Sequence, residues 1–258
     1  MPTLTERTLI LGHRGACGAL SGMPGAYAPE NTMPSFELAA QMHADGVETD
    51  VHFSKDGKIM ILHDAKLDRT TNGQGLITDY TAEELSVFDA GIKTGAEFKK
   101  TRIPRLDDLL DLCRRTGMLL NIEIKSADPL MPAALFECVR AHRMDDGVIY
   151  SSFDHEQLAR MLRVDPSAFV APLYSFNMIK PWDYAANIPA KAVHPRSPQI
   201  LLYEGYVDRC HELGIRVHPW DIEDPERAKM FAKLGINLTS EPVVERVVIP
   251  MELVNNGD

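Results

Sequence analysis

Short β-branched runs alternate with stretches of helical hydrophobic spacing from one end of this chain to the other. Strands are predicted at Leu9-Ile10-Leu11, Val47 to Val51, Ile59 to Leu62, Leu119 to Ile124, Val148 to Ser151, Phe169 to Leu173, Ala192 to His194, Ile215 to His218 and Ile236 to Thr239. Helical patterns occupy the intervals. Pro34 to Met42 carries its proline in the first turn, where the missing N–H costs little. Leu106, Leu109, Leu110 and Cys113 share a helical face, and further helices are predicted at Glu156 to Leu162, Leu201 to Leu213 and Pro225 to Leu234. Gly214 and Gly235 stand where helix C-caps belong.

Nine strands are one more than a barrel of eight parallel strands needs. Lys55-Asp56-Gly57 is a hairpin signal, so Ile59 to Leu62 reads as an antiparallel return beside the second strand. The remaining eight, mostly followed by helices, predict an α/β fold, a (β/α)8 TIM barrel; a doubly wound open sheet is the competing arrangement. Residues 65–105 break the rhythm with Gly73, Gly75, Gly91, Gly95 and Thr70-Thr71-Asn72. They read as a small insertion after the His63-Asp64 hairpin, expected over the barrel mouth. Cys17 to Ala28 is a second irregular loop. No repeat or linker marks a second domain, so residues 1–258 are expected to form one.

With 258 residues and 45% apolar side chains the chain can fill such a barrel. A net charge of −10 argues against nonspecific nucleic-acid binding, and leaves a small anionic substrate open because local field decides that case. Cys17, Cys113, Cys138 and Cys210 are scattered without CxxC or zinc spacing, which predicts free thiols in a reducing compartment, with Cys17 solvent-accessible. No apolar run reaches the length of a membrane helix, and Met1 to Arg7 shows no basic stretch leading into an apolar one; the cytoplasm is the expected location, with no integral membrane contact.

Five short signals carry chemistry: His13-Arg14-Gly15, Pro29-Glu30-Asn31-Thr32, Glu48-x-Asp50, His63-Asp64 and Glu123-x-Lys125. Glu48 and Asp50 leave one face of a strand. Two carboxylates about 4 Å apart repel by about 4 kcal/mol at an effective dielectric of about 20, so a proton or a cation must join them. Glu123, ending the next parallel strand, makes a third. Three acids with no sulfur donor describe a hard-cation site, Mg²⁺ or Ca²⁺ rather than zinc. A single E-x-D is common and carries little weight, so the weight lies in convergence. A hairpin centred on Asp56-Gly57 sets Ser54 against Lys58 and Asp50 against Leu62, which delivers His63 to the acids. His13 ends the adjacent strand. Two imidazoles can share acid–base work, Arg14 can grip a phosphate and Lys125 can neutralise an oxyanion. Taken alone, each would be an ordinary structural histidine or surface ion pair.

The runs Gly12-His13-Arg14-Gly15, Ala28-Pro29-Glu30-Asn31-Thr32, Glu48-Thr49-Asp50-Val51, Lys55-Asp56-Gly57 leading to His63-Asp64, Arg102-Ile103-Pro104-x-Leu106, Ile122-Glu123-Ile124-Lys125 and Ser151-Ser152-Phe153 closely resemble the glycerophosphodiester phosphodiesterases. The resemblance implies a TIM barrel with its site at the carboxyl ends of the strands. It implies one divalent cation on Glu48, Asp50 and Glu123, His13 and His63 as the acid–base pair, and Arg14 and Lys125 as phosphate contacts. It implies a small-molecule glycerophosphodiester as substrate, with the glycerol 2-hydroxyl attacking phosphorus and water opening the cyclic phosphate to sn-glycerol 3-phosphate. Trp220 is expected to wall the pocket. The carboxyl-terminal third departs from the family pattern at Asp221, Glu223 and Ser240, where family members carry Thr, Asn and Asp.

Competing readings are a lysophospholipase D acting on a lysolipid, with an apolar groove formed by Leu20, Met23 and Tyr27; a metal-dependent aldolase on a similar barrel; and a binding protein without activity.

Overall fold

The computed structural model describes residues 8–18, 25–222, 226, 229–231 and 238–240. The strands are β1 (Ile10–Gly12), β2 (Gly46–Phe53), β3 (Ile59–Ile61), β4 (Leu119–Ile124), β5 (Val148–Ser152), β6 (Val170–Tyr174), β7 (Ala192–Pro195), β8 (Arg216–Val217) and β9 (Leu238–Ser240). Eight of them are parallel and follow one another around the sheet in chain order, and β9 hydrogen-bonds to β1. First and last strands as neighbours in an otherwise sequential order is the topology of a (β/α)8 barrel. It rules out the doubly wound alternative, whose strand order reverses at a switch point.

Strand β3 is the antiparallel return read from Lys55-Asp56-Gly57. Val51 pairs with Ile61 and Phe53 with Ile59. The Ser54 N–H donates to the Lys58 carbonyl at 2.8 Å, and the Leu62 N–H to the Asp50 carbonyl at 3.1 Å.

Helices α1 (Met33–Gln41), α2 (Ala82–Leu85), α3 (Leu106–Thr116), α4 (Met131–Ala141), α5 (His155–Val164), α6 (Pro181–Asn187) and α7 (Tyr206–Glu212) occupy the connections. Helix α3 shows why. Leu106, Leu109, Leu110 and Cys113 form a buried stripe, Asp107 and Asp108 sit at the positive end of the dipole, and Gly117 stops it at φ 74°. These stripes pack on the outward strand residues as one large core that includes Phe36, Leu120, Leu135, Leu158, Val170 and Val193.

The insertion over 65–105 builds a separate core on the hairpin. Met60 and Leu62 are covered by Leu67, Ile77, Leu85, Ala90 and Ile103. The segment is therefore a small packed unit, and it sends Arg69 toward the strand ends.

Three expectations change. The predicted helix Leu201 to Leu213 is two pieces, a 3₁₀ stretch Ser197–Leu202 and α7, because Gly205 between them takes left-handed backbone at φ 72°. The strand Ile215 to His218 shortens to two residues. Cys17 is buried within the loop that follows β1, with Sγ 3.6 Å from the His13 carbonyl. Of the predicted helix Pro225 to Leu234, Glu226 and residues 229–231 are described and helical. Gly235, Leu20, Met23, Glu223 and the side chain of Ser240 lie outside the described residues. No helix among those described is long and apolar enough to cross a membrane.

Candidate active site

The β1–α1 loop carries the first members of the cluster. After Gly12 the chain takes left-handed backbone at Arg14 (φ 53°) and Gly15 (φ 81°), and again at Asn31 (φ 56°). Gly15 is required by space as well as by φ, since a Cβ there would lie 2.4 Å from Ser35 Oγ. The close approach lets the Ala16 N–H donate to the Ser35 carbonyl and the Asn31 N–H to the Arg14 carbonyl. Both limbs of the loop and the first turn of α1 thus hold each other.

Strand alternation puts Glu48, Asp50 and His52 on one face of β2, and Asn121, Glu123 and then Lys125 on one face of β4. The parallel register sets Glu48 beside Asn121 and Asp50 beside Glu123. One oxygen from each of Glu48, Asp50 and Glu123 lies within 4.8 Å of the others, and all three acids are buried. Asp50 Oδ2 accepts from Asn31 Nδ2 at 2.7 Å and lies 3.7 Å from Arg14 Nε. Glu48 Oε2 accepts the Arg14 backbone N–H at 2.9 Å and stands 3.8 Å from His13 Nε2. The Lys125 ammonium is 3.2 Å from Asp50 Oδ1 and also pairs with Glu123 Oε1. Glu48 Oε1, Asn121 Oδ1 and Ser151 Oγ are buried with no hydrogen-bond partner among the described residues. Such atoms are costly unless something polar or cationic meets them.

The charges are unequal. Burial, and then the neighbouring Asp50, push the Glu48 and Glu123 carboxyls above the usual carboxylate range. Burial works the same way on Asp50, but Lys125, Arg14 and His63 overcome it and hold that group ionised. Burial opposes the Lys125 charge as well, yet Asp50 and Glu123 raise its pKa.

His63 arrives by the hairpin register. Its Nδ1 lies 2.6 Å from Asp64 Oδ1, which fixes Nδ1 as the protonated nitrogen and leaves Nε2 an acceptor, 3.2 Å from Lys125 Nζ. Burial, with Arg14 and Lys125 assisting and Asp50 opposing, holds this imidazole below its ordinary pKa, so it is neutral near pH 7. Behind it stands a network that the motifs announced only in part. Arg69 grips Asp64 through Nε at 2.7 Å and Glu30 through Nη1 and Nη2, each at 2.8 Å. Glu30 Oε1 in turn accepts from Arg14 Nη1 at 2.8 Å. His52 Nε2 lies 3.2 Å from the His63 carbonyl.

All seven predicted residues of the amino-terminal half, His13, Arg14, Glu48, Asp50, His63, Glu123 and Lys125, therefore meet in one place. Arg14 is committed to Glu30 and Asp50 rather than standing free. Trp220 is one ring removed: it packs edge-on against Phe153 at 5.8 Å, and Lys125 Nζ lies 5.8 Å from the Phe153 centroid. Glu30, Asn31, His52, Asp64 and Arg69 carry no predicted role. His52 had a signal, being two residues beyond Asp50 on the same face. Glu30 and Asn31 lie within a motif, but their partners belong to other segments. Arg69 had none.

The model of the "Glycerophosphoryl diester phosphodiesterase family" matches residues 13–238. The chain is similar to a glycerophosphodiester phosphodiesterase of Caldanaerobacter subterraneus subsp. tengcongensis, 34% identical over 92% of this chain and 95% of that one. It is equally similar, at 34% identity, to one of Bacillus altitudinis, over 89% and 92%. Among solved structures it resembles the glycerophosphodiester phosphodiesterase of Agrobacterium tumefaciens, with a TM-score of 0.79 at 29% identity over 93% of this chain and 100% of that one. It also resembles an Oleispira antarctica phosphodiesterase in complex with the product sn-glycerol-3-phosphate, with a TM-score of 0.82 at 26% identity over 95% and 97%. With a matching family model over most of its length and such relatives, this chain belongs to the glycerophosphoryl diester phosphodiesterase family.

Proposed function

We propose that this enzyme hydrolyses glycerophosphodiesters to sn-glycerol 3-phosphate and an alcohol, with one divalent cation, Mg²⁺ or Ca²⁺, held by Glu48, Asp50 and Glu123. The carrying observation is the all-oxygen trio within 4.8 Å. The charge balance supports it: with Glu48 and Glu123 ionised, five carboxylates (Glu30, Glu48, Asp50, Asp64, Glu123) face three cations (Arg14, Arg69, Lys125), and a dication would offset the surplus and favour that ionisation. Glu48 Oε1, without a hydrogen-bond partner among the described residues, points the same way. A hard cation held by Glu48, Asp50 and Glu123 would supply Lewis-acid stabilisation of negative charge on phosphate oxygen.

The side chains supply the rest. His63, neutral and held by Asp64 through Nδ1, accepts the proton of the attacking glycerol 2-hydroxyl at Nε2. His13, on the other side of the acids beside Glu48, gives a proton to the departing alcohol oxygen. The roles then exchange as water opens the cyclic phosphate. Lys125 stands between His63 and the acids, where it meets a phosphate oxygen, and Arg14, braced by Glu30, adds a fixed positive charge. An internal nucleophile gains by proximity. The direct test mixes the protein and Mg²⁺ or Ca²⁺ with glycerophosphocholine and follows sn-glycerol 3-phosphate with a coupled dehydrogenase. Failure to turn over any of a panel of head groups would overturn the reading.

One observation favours a lysolipid as an additional substrate. Leu130, Phe153, Phe176, Ile179, Leu201 and Leu202 are exposed on segments that follow β4, β5, β6 and β7, on the same rim as the acids. The apolar surface thus comes from these segments, while Leu20 and Met23 of the other loop lie outside the described residues. Choline release from lysophosphatidylcholine, reduced by Phe153→Ser, is the expected result.

A further inference from the structure

A second cluster of metal-binding side chains lies away from the active site, between α3 and α4. Asp107 and Asp111 are one turn apart on α3, and Cys138 and His142 are one turn apart on α4 and its C-cap, joined by the His142 N–H to the Cys138 carbonyl at 3.2 Å. The two pairs face each other. Donor atoms of Asp107, Cys138 and His142 lie within 4.8 Å of one another. His142 Nδ1 stands 3.0 Å from Asp111 Oδ1, and Nε2 stands 3.3 Å from Asp107 Oδ1.

We propose that Asp107, Cys138 and His142 form a second cation site, selective for a borderline-soft divalent ion of the zinc class, with Asp111 orienting His142 from behind. Three features separate it from an acidic surface patch. Its donors are one oxygen, one sulfur and one nitrogen, the set that suits zinc and not magnesium or calcium. The imidazole has a carboxylate at each nitrogen, Asp111 at Nδ1 and Asp107 at Nε2, so a cation seated between Nε2 and Asp107 would keep a carboxylate behind the ring. The carboxylate–histidine pair also recurs behind zinc-bound histidines. Finally, Asp107 and Asp111 are about half exposed, at 47% each, so an ion has access. Helix α3 leads into β4 and α4 leads out of it, so a cation joining the two would brace the strand that carries Glu123. The sequence hid the site because its two i, i+4 pairs lie on separate helices.

The test uses the full chain stripped with chelator and kept in excess Mg²⁺, which occupies all-oxygen sites, and titrates it with Co²⁺. A thiolate-to-cobalt charge-transfer band saturating at one equivalent is expected, absent in Cys138→Ser and retained in Glu48→Gln. Asp111→Asn, which preserves shape, should weaken Co²⁺ binding by about 10- to 100-fold. Zn²⁺ at a hundredfold excess over its dissociation constant should raise the thermal midpoint by about 5–10 °C. The proposal fails if no thiolate band develops, if Cys138→Ser leaves it unchanged, or if Glu48→Gln removes it. It also fails if His142→Gln lowers the midpoint by the same amount with and without Zn²⁺, for then the imidazole is a plain ionic staple.

Discussion

The two halves of this barrel handle buried polar groups in opposite ways. Between β1 and β5 the interior holds Glu48, Asp50, His52, Asn121, Glu123 and Ser151, several of whose atoms have no hydrogen-bond partner among the described residues. Across the barrel the interior is Ala171 and Ala192 beside Ile149, and among the described residues its buried ionisable groups are His194 and His218, 3.0 Å apart. Burial holds both rings below their ordinary pKa, His194 down to about 3. One half stores unbalanced charge; the other keeps its titratable groups neutral. An interior that leaves polar atoms unsatisfied is unstable by itself and reactive toward a ligand, and that asymmetry agrees with the site proposed above.

The strongest way to break the contrast is to neutralise the charged half. Glu123→Gln or Glu48→Gln removes a proposed cation ligand and should lower kcat by about 10⁴-fold or more, several kcal/mol of lost charge stabilisation. Stability should move the other way. The burial that raises the Glu48 carboxyl means that its charge destabilises the metal-free fold, so the thermal midpoint of Glu48→Gln in chelator should exceed that of the parent. A midpoint that falls in chelator would show that the acids are mutually stabilising, and the contrast would collapse.

The next effect tests whether His63 works through its partner. His63→Ala should cost about 10²–10³-fold in kcat with the fold intact. Asp64→Asn should cost less, about 10- to 100-fold, because the ring remains but its tautomer is no longer fixed. Since the Asp64 hydrogen bond raises the His63 pKa, its loss should also move the acidic limb of the rate profile to lower pH. A purely structural Asp64 would leave that limb in place.

Much of this was legible in the sequence, and the reason is local. Hairpin chemistry at Asp56-Gly57 and strand alternation are short-range rules, and they bring Glu48, Asp50, His63 and Glu123 together with no knowledge of the rest. Arg69 escaped because its partners, Glu30 and Asp64, come from a different loop and from the hairpin. The break at Gly205 escaped because Leu201 to Leu213 has helical spacing throughout, and one left-handed residue overrides it. The polar atoms of Asn121 and Ser151 read as ordinary strand residues until the register set them beside the acids.

The neutral half should reveal itself in stability rather than rate. A histidine with a folded pKa below its unfolded value of 6.5 binds a proton more readily in the unfolded chain. Its contribution is complete above about pH 6.5 and is lost as pH falls toward about 3. Each such ring adds about 1.4 kcal/mol per pH unit to the slope within that window. His194→Gln should flatten the denaturant-derived stability profile between those limits and leave kcat near pH 7 within a few-fold. An unchanged slope would place the acid sensitivity elsewhere.

The smallest expected effect lies where the halves meet. Trp220 Nε1 donates to the His194 carbonyl at 3.1 Å, and its ring edge supports Phe153, the ring beneath the Lys125 ammonium. Trp220→Phe keeps an aromatic ring and removes the donor, so it leaves a buried carbonyl short of one partner. The cost should be about 0.5–1.5 kcal/mol of stability. A cation near an aromatic face gains about 0.5–1 kcal/mol at a partly exposed site, so a Phe153 that tilts away should raise KM by a few-fold while kcat holds. A kcat that falls with KM unchanged would instead put Trp220 in contact with the reacting phosphate, and the charged half would then extend across the barrel.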